Sequence, residues 1–173
     1  MGETAGKEIG LECGAAMLRG KRLPRGGDPL AARAATYRKN TVLHILIADD
    51  HALVREGLVH TLGALAPEAR FLEAENADEV RSQTAAGHVL DLVLLDLFMP
   101  GAGEFSLLSE LCRSDPDLPV VVLSGSTDPA HMRKALDLGA SGFIPKSSTG
   151  DVMLSALRLV LAGGIYVPPD MLK

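Results

Sequence analysis

Leu92-Val93-Leu94-Leu95-Asp96-Leu97-Phe98-Met99-Pro100-Gly101 holds four apolar residues ending in a carboxylate, then a short apolar loop broken by Pro-Gly. A continuous apolar run bounded by turn signals reads as a strand buried on both faces, as in the interior of a parallel sheet. Asp96 then stands at the strand's carboxyl end, the edge at which open α/β sheets bind ligands. A single Asp there reads more readily as a residue capping the next turn. Chemistry brought to the same edge by other strands decides between the two.

Working outward, Val42-Leu43-His44-Ile45-Leu46-Ile47-Ala48 is a first strand ending in Asp49-Asp50. Asp50 is placed to cap the following helix, whose apolar stripe is expected from Leu53, Leu58, Leu62 and Leu65 until Pro67 stops it. Arg70 to Glu73 supplies a second strand. Asn76 with Glu79 has the spacing of a capping box and opens a helix that ends near Gly87. The opening stretch is the third strand, from about Asp91, and a helix from Glu104 to Arg113 follows. Pro119 to Ser124 is a fourth strand with a hydroxyl at its carboxyl end. Asp128-Pro129 pairs a cap with a proline at the first helical position, and that helix runs to Leu138 before Gly139. Ser141 to Pro145 is a fifth strand, with Lys146 at the same edge. Ser148 and Asp151 open a last helix, Val152 to Ala162, and the tail from Ile165 to Pro169 reads as extended. Five strands alternating with five helices make a doubly wound α/β domain with a five-stranded parallel sheet, because parallel neighbours need helical crossovers.

The chain has 173 residues, enough for one domain plus an extension, and its 47% hydrophobic content with only 3% aromatic residues implies an aliphatic core. The net charge of −5 conceals an asymmetry: residues 1–40 carry eight basic and four acidic residues, leaving nine basic and eighteen acidic for the rest. An acidic folded part argues against a nucleic-acid binder of the basic-patch kind. Residues 1–40, rich in Gly, Ala and Arg and without sustained period, read as a disordered basic N-terminal extension with at most a short helix near Leu30–Tyr37. Cys13 and Cys112 lack metal-ligand spacing and read as free thiols in a reducing compartment. No apolar run approaches a membrane span and no signal peptide is evident, so a cytoplasmic protein without membrane association is expected.

Asp49, Asp50 and Asp96 would gather three carboxylates, and such a cluster calls for a cation or for raised pKa values. Oxygen ligands suit Mg²⁺; imidazole does not, so His51 is assigned a structural role, and Met99 is assigned to packing. With Lys146 and Ser124 alongside, the edge has the makings of a pocket for a tetrahedral dianion. At this point residues 42–163 resemble the receiver domain of two-component response regulators, a flavodoxin-like (CheY-like) fold. Ile47-Ala48-Asp49-Asp50-His51-Ala52-Leu53-Val54-Arg55-Glu56-Gly57-Leu58 is similar to the first motif of the NarL/FixJ (LuxR-type) subfamily. Leu95 to Gly101, Leu123 to Ser126 and Gly139 to Lys146 match the remaining blocks in order.

The resemblance implies that Asp96 accepts a phosphoryl group from a phosphohistidine of a sensor histidine kinase. It implies that Asp49, Asp50 and Asp96 hold Mg²⁺ together with the backbone carbonyl of Phe98, that Lys146 pairs with the phosphoryl oxygens, and that the Ser124 hydroxyl turns toward them. Phe143 matches the aromatic switch position. The domain would be no enzyme in its own right but a switch, with a homodimer formed on phosphorylation as one output. Proteins of this subfamily usually bind DNA through a C-terminal helix-turn-helix domain. Residues 164–173 resemble the start of the linker to it, and the chain reaches Lys173 without residues for that domain. A stand-alone receiver acting through protein contacts is the alternative. A haloacid-dehalogenase-type phosphatase is disfavoured because its second Asp would fall at Phe98, and no Gly-rich phosphate loop of Walker or dinucleotide type is present.

Two positions depart from the usual receiver pattern. Ser147 follows Lys146 where many receivers have proline, and Phe98 stands where Asn or Arg is common. A bulky apolar side chain beside an acyl phosphate hinders attacking water. The phosphorylated wild type is therefore expected to outlive phosphorylated Phe98→Asn when the decay of the adduct is followed over time, and an equal or shorter wild-type lifetime overturns the reading.

Overall fold

In a computed structural model the described residues are 42–63, 66–126 and 128–169. The expected disordered extension and the Leu30–Tyr37 helix, Leu65 of the first helix stripe, and the last residues of the linker lie outside them.

Five strands, β1 (His44–Ala48), β2 (Arg70–Ala74), β3 (Leu92–Asp96), β4 (Val120–Ser124) and β5 (Gly142–Pro145), alternate with five helices. The helices are α1 (Ala52–Gly63), α2 (Ala77–Ala85), α3 (Ser106–Ser114), α4 (Pro129–Asp137) and α5 (Gly150–Leu161). All strand pairs are parallel and the order is β2-β1-β3-β4-β5. Ala48 pairs with Leu95, Asp96 with Leu123 and Ser124 with Pro145, so the residues that end β1, β3, β4 and β5 share one edge. In this order the chain reverses direction across the sheet between β1 and β3, which opens a crevice at their carboxyl ends.

Every residue of β3 and β4 is buried, because the alternation of strand side chains serves two cores at once. Leu92 and Leu94 join Ile45, Ile47, Val121, Leu123 and Ile144 against α1 and α5. Val93 and Leu95 join Leu46, Val120, Val122 and Phe143 against α2, α3 and α4. Aromatics being scarce in the chain, the core on both faces is built chiefly of Leu, Val and Ile.

The local signals at α2 and α4 operate as their residue types dictate. Asn76 Oδ1 accepts the Glu79 N–H at 2.9 Å, and Glu79 reaches back to accept the Glu75 N–H at 2.9 Å. Asp128 Oδ1 accepts the Ala130 N–H at 2.8 Å, with Pro129 opening α4. Gly101 turns the chain after β3 at φ 75°, close enough to Ala77 that an added Cβ would lie 3.2 Å from its Cβ.

Other expectations are corrected. Leu53 is 83% exposed, and the inward positions of α1 are Arg55, Leu58 and Leu62. Two residues from Arg55 is about 200° around a helix, so Leu53 must face outward once Arg55 faces in. The carboxylate that accepts an N–H at the entrance to α1 is Asp49, not Asp50: its Oδ1 takes the His51 N–H at 2.9 Å. α3 starts at Ser106, because Glu104 has φ 55° and stands outside the helix. The α5 cap is Thr149, whose side chain accepts from Val152, rather than Ser148. The tail is not merely extended. Tyr166 forms a parallel bridge with Gly142, its carbonyl accepting the Phe143 N–H at 3.1 Å, which covers the open side of β5.

The two leucines of α1 provide a stability contrast. Leu62→Ala should lower unfolding free energy by about 2–5 kcal/mol. Leu53→Ala should change it by less than about 0.5 kcal/mol, both read from urea denaturation with unchanged slopes.

Candidate functional site

The crevice between β1 and β3 holds the expected residues. Asp49 follows β1 and is 0% exposed, while Asp96 ends β3 and is 3% exposed. Lys146, just beyond β5, is anchored by its own N–H donating to the Ser124 carbonyl at 2.8 Å, which continues the β4–β5 ladder by one residue. Its side chain crosses to the crevice, where Nζ lies 2.7 Å from Asp96 Oδ2 and 2.6 Å from Asp49 Oδ2. The approach to Asp96 is a directed hydrogen bond. That to Asp49 is an ion pair without hydrogen-bond alignment, so Asp49 Oδ2 is a buried oxygen with no directed donor.

Partial burial is the largest single influence on the Lys146 ammonium and pushes its pKa down, but the two carboxylates of Asp49 and Asp96 held against it together outweigh it. The pKa is held above its ordinary value, and the lysine is a fixed positive charge. The other oxygen of Asp96, Oδ1, accepts the Phe98 N–H at 3.1 Å, so the carboxylate is held from both sides. The Phe98 ring itself is 52% exposed.

Asp50 sits at the rim. One ligand atom each from Asp49, Asp50, His51 and Asp96 lie within 4.8 Å of one another. The three carboxylates, one of them with a buried oxygen short of directed donors, form a donor set compatible with a divalent cation. His51, assigned a structural role from sequence, belongs to this group. Its Nδ1 lies 2.8 Å from Asp50 Oδ1 and 3.2 Å from Asp49 Oδ1.

Ser124 is fully buried, and its hydroxyl accepts the Ser126 N–H at 3.0 Å. Ser126 in turn binds His131 of α4, Oγ to Nδ1, at 2.9 Å. The His131 ring lies against Phe98 and Phe105, with centroids 5.7 and 5.9 Å away, and its Nε2 is 3.5 Å from Glu104 Oε1. Phe143 is fully buried in the layer under α2–α4.

Arg55 is a site neighbour that motif reading missed. Its Nη1 donates to the Asp49 carbonyl at 2.7 Å and its Nε to Glu73 Oε2 at 2.9 Å. The guanidinium thus joins α1 to the ends of β1 and β2. A signal existed: Arg55 shares a helix face with Leu58 and Leu62, where a charged residue must find buried partners.

Residues 45–158 match the family of response regulator receiver domains. The chain is 39% identical over 129 residues to a glycerol metabolism activator of Pseudomonas putida, covering 75% of this chain and 58% of that protein. It is 36% identical over 123 residues to the transcriptional activator protein ExaE of the same species, covering 71% and 57%. A crystal structure of a LuxR family DNA-binding response regulator from Silicibacter pomeroyi superposes with a TM-score of 0.67 at 34% identity, covering 75% of this chain and 99% of that one. The chain therefore spans somewhat more than half the length of these curated relatives. Among the described residues, no helix is long and apolar enough to cross a membrane.

Removing the shared cation leaves two buried carboxylates facing each other. Lys146→Met should destabilise the fold by about 3 kcal/mol at neutral pH. Adding Asp96→Asn to that variant should recover at least about 1 kcal/mol in a double-mutant cycle read by urea denaturation.

Proposed function

Because the chain belongs to the family of response regulator receiver domains, we propose that Asp96 is its phosphoacceptor and that residues 41–163 act as the receiver unit of a two-component relay. The observation that carries this reading is the Asp96 carboxylate, buried at the end of β3 and bound by Lys146 at 2.7 Å. Burial beside a fixed ammonium keeps a carboxylate oriented and ready as a nucleophile.

The donor is a phosphohistidine of a sensor histidine kinase. Its P–N bond breaks as a P–O bond forms to an Asp96 oxygen, and the imidazole nitrogen keeps the bonding pair. No general base is needed, since the acceptor is already an anion. Lys146 meets the negative charge of the arriving phosphoryl oxygens. The Ser124 hydroxyl, which accepts from Ser126, has its own proton available to donate to one of those oxygens. Phe143, on the strand paired with β4, is the aromatic that follows a shift of Ser124.

Asp49, Asp50 and Asp96 are the side chains that would hold Mg²⁺, with the Phe98 carbonyl as a backbone ligand. When bound, Mg²⁺ supplies charge neutralisation for phosphoryl transfer. The two curated relatives described above are named as activators, one of them transcriptional. The corresponding output here is transcription control through a DNA-binding portion outside this chain, with a phosphorylation-dependent homodimer as the intermediate. The setting for such a regulator is the cytoplasm.

Incubation with acetyl phosphate and Mg²⁺, followed by intact-protein mass spectrometry, should show an increase of one phosphoryl group. The adduct should be absent from Asp96→Asn and from reactions containing excess chelator. An adduct that survives Asp96→Asn, or none on the wild type, refutes the assignment.

A further inference from the structure

His51 occupies an unusual place for a residue beside an oxygen-rich cation site. Its side chain is 67% exposed, its backbone N–H is fixed by Asp49 Oδ1 at 2.9 Å, and its Nδ1 faces both Asp49 and Asp50. Two donors bound side by side to one octahedral ion at about 2.1 Å lie about 3 Å apart. The Nδ1 distances of 2.8 Å to Asp50 Oδ1 and 3.2 Å to Asp49 Oδ1 bracket that separation. The imidazole therefore already stands where a neighbouring ligand of the same ion would stand. The 4.8 Å spread of the four donor atoms needs only a small contraction for all to reach one centre. Asp49 Oδ2, buried and without a directed hydrogen bond, is the oxygen that faces Lys146, so Oδ1 is the Asp49 atom on the His51 side.

We infer that His51 Nδ1 is a nitrogen ligand of this site, and that it makes the site discriminate in favour of borderline divalent transition ions such as Co²⁺ over Mg²⁺. The inference rests on the proposed cation site at Asp49, Asp50 and Asp96 and adds a donor to it. Imidazole suits transition ions, whereas Mg²⁺ holds oxygen ligands and keeps several waters, so one nitrogen donor raises affinity for the former and leaves the latter nearly unaffected. The site then takes two classes of cation in two ways, Mg²⁺ on carboxylates alone and a transition ion on carboxylates plus His51. Because His51 is exposed, its ring is free to adjust without disturbing a core.

Calorimetric titration of the unphosphorylated chain with MgCl₂ and CoCl₂, on wild type, His51→Ala and His51→Gln, tests the affinity. Pulsed electron paramagnetic resonance of the Mn²⁺-loaded protein tests the ligand directly through ¹⁴N modulation. Wild type is expected to show the modulation and both variants to lack it. The Co²⁺-over-Mg²⁺ affinity ratio should fall about tenfold in the variants, with Mg²⁺ affinity changed less than about twofold. His51→Gln keeps a polar side chain of similar reach at the entrance to α1, so a loss common to both variants is not a folding effect. Mn²⁺ bound without ¹⁴N modulation, or an unchanged affinity ratio, overturns the role of His51 while leaving the carboxylate site standing. Wild type that binds none of the ions removes the carboxylate site and the inference together.

Discussion

One ammonium lies between two buried carboxylates. Lys146 Nζ is within 2.7 Å of Asp96 and 2.6 Å of Asp49, and neither acid has appreciable exposure. Two carboxylates at the carboxyl ends of adjacent strands repel each other by about 4 kcal/mol at 4 Å and an effective dielectric near 20. Parallel pairing of β1 with β3 brings them together whatever their charge. The lysine that reconciles them comes from the far side of β4, and it reaches the crevice because its own N–H is tied to the Ser124 carbonyl. The site and the last part of the sheet are therefore mutually dependent: without β5 in register, Lys146 has no anchor.

A second cation braces the same edge from behind. Arg55 holds the Asp49 carbonyl and Glu73, so the backbone that carries Asp49 is fixed independently of what its side chain binds. Lys146 and Arg55 differ in kind. The guanidinium makes directed contacts with backbone and carboxylate at once, while the ammonium is a compact charge that arriving oxygens are able to share. Arg55 is engaged by Glu73 and Glu75, whereas Lys146 pairs with two of the three aspartates of the crevice, Asp49 and Asp96. The local excess of negative charge makes the crevice attractive to a cation.

The strands were legible because a fully buried parallel strand writes itself as an unbroken apolar run, and β3 and β4 do so up to their last residues, Asp96 and Ser124. The α2 and α4 caps were legible because a cap is local: Asn76 with Glu79, and Asp128 with Pro129, act within one helical turn. What failed depended on partners distant in sequence. Leu53 read as part of the stripe and Arg55 went unassigned, yet Arg55 takes the inward position because Glu73 and the Asp49 carbonyl offer a guanidinium what no apolar pocket offers. The aspartates, Ser124 and Lys146 were legible as residues at strand ends. That His51 turns its ring onto two of those acids was not, since its type argued against an oxygen-rich site and only the turn after β1 decides where its ring points.

The arrangement around Ser124 shows how a small group is made to report beyond its own contacts. Its hydroxyl accepts from Ser126, Ser126 binds His131, and His131 lies against Phe98 and Phe105 and near Glu104. Ser124 ends β4 and Ser126 belongs to the loop after it, whereas Phe98, Glu104 and Phe105 belong to the loop after β3, with His131 on α4. Any displacement of Ser126 must therefore stretch its bond to His131 or carry α4 with it, and α4 is itself seated on the core through Met132 and Ala135. Phe143 packs in that same core layer, on the strand adjacent to β4. Close-packed interiors move between discrete arrangements rather than deforming smoothly. Ser126 is thus tied to α4 and, through the His131 ring, to the Phe98 and Phe105 rings of the other loop.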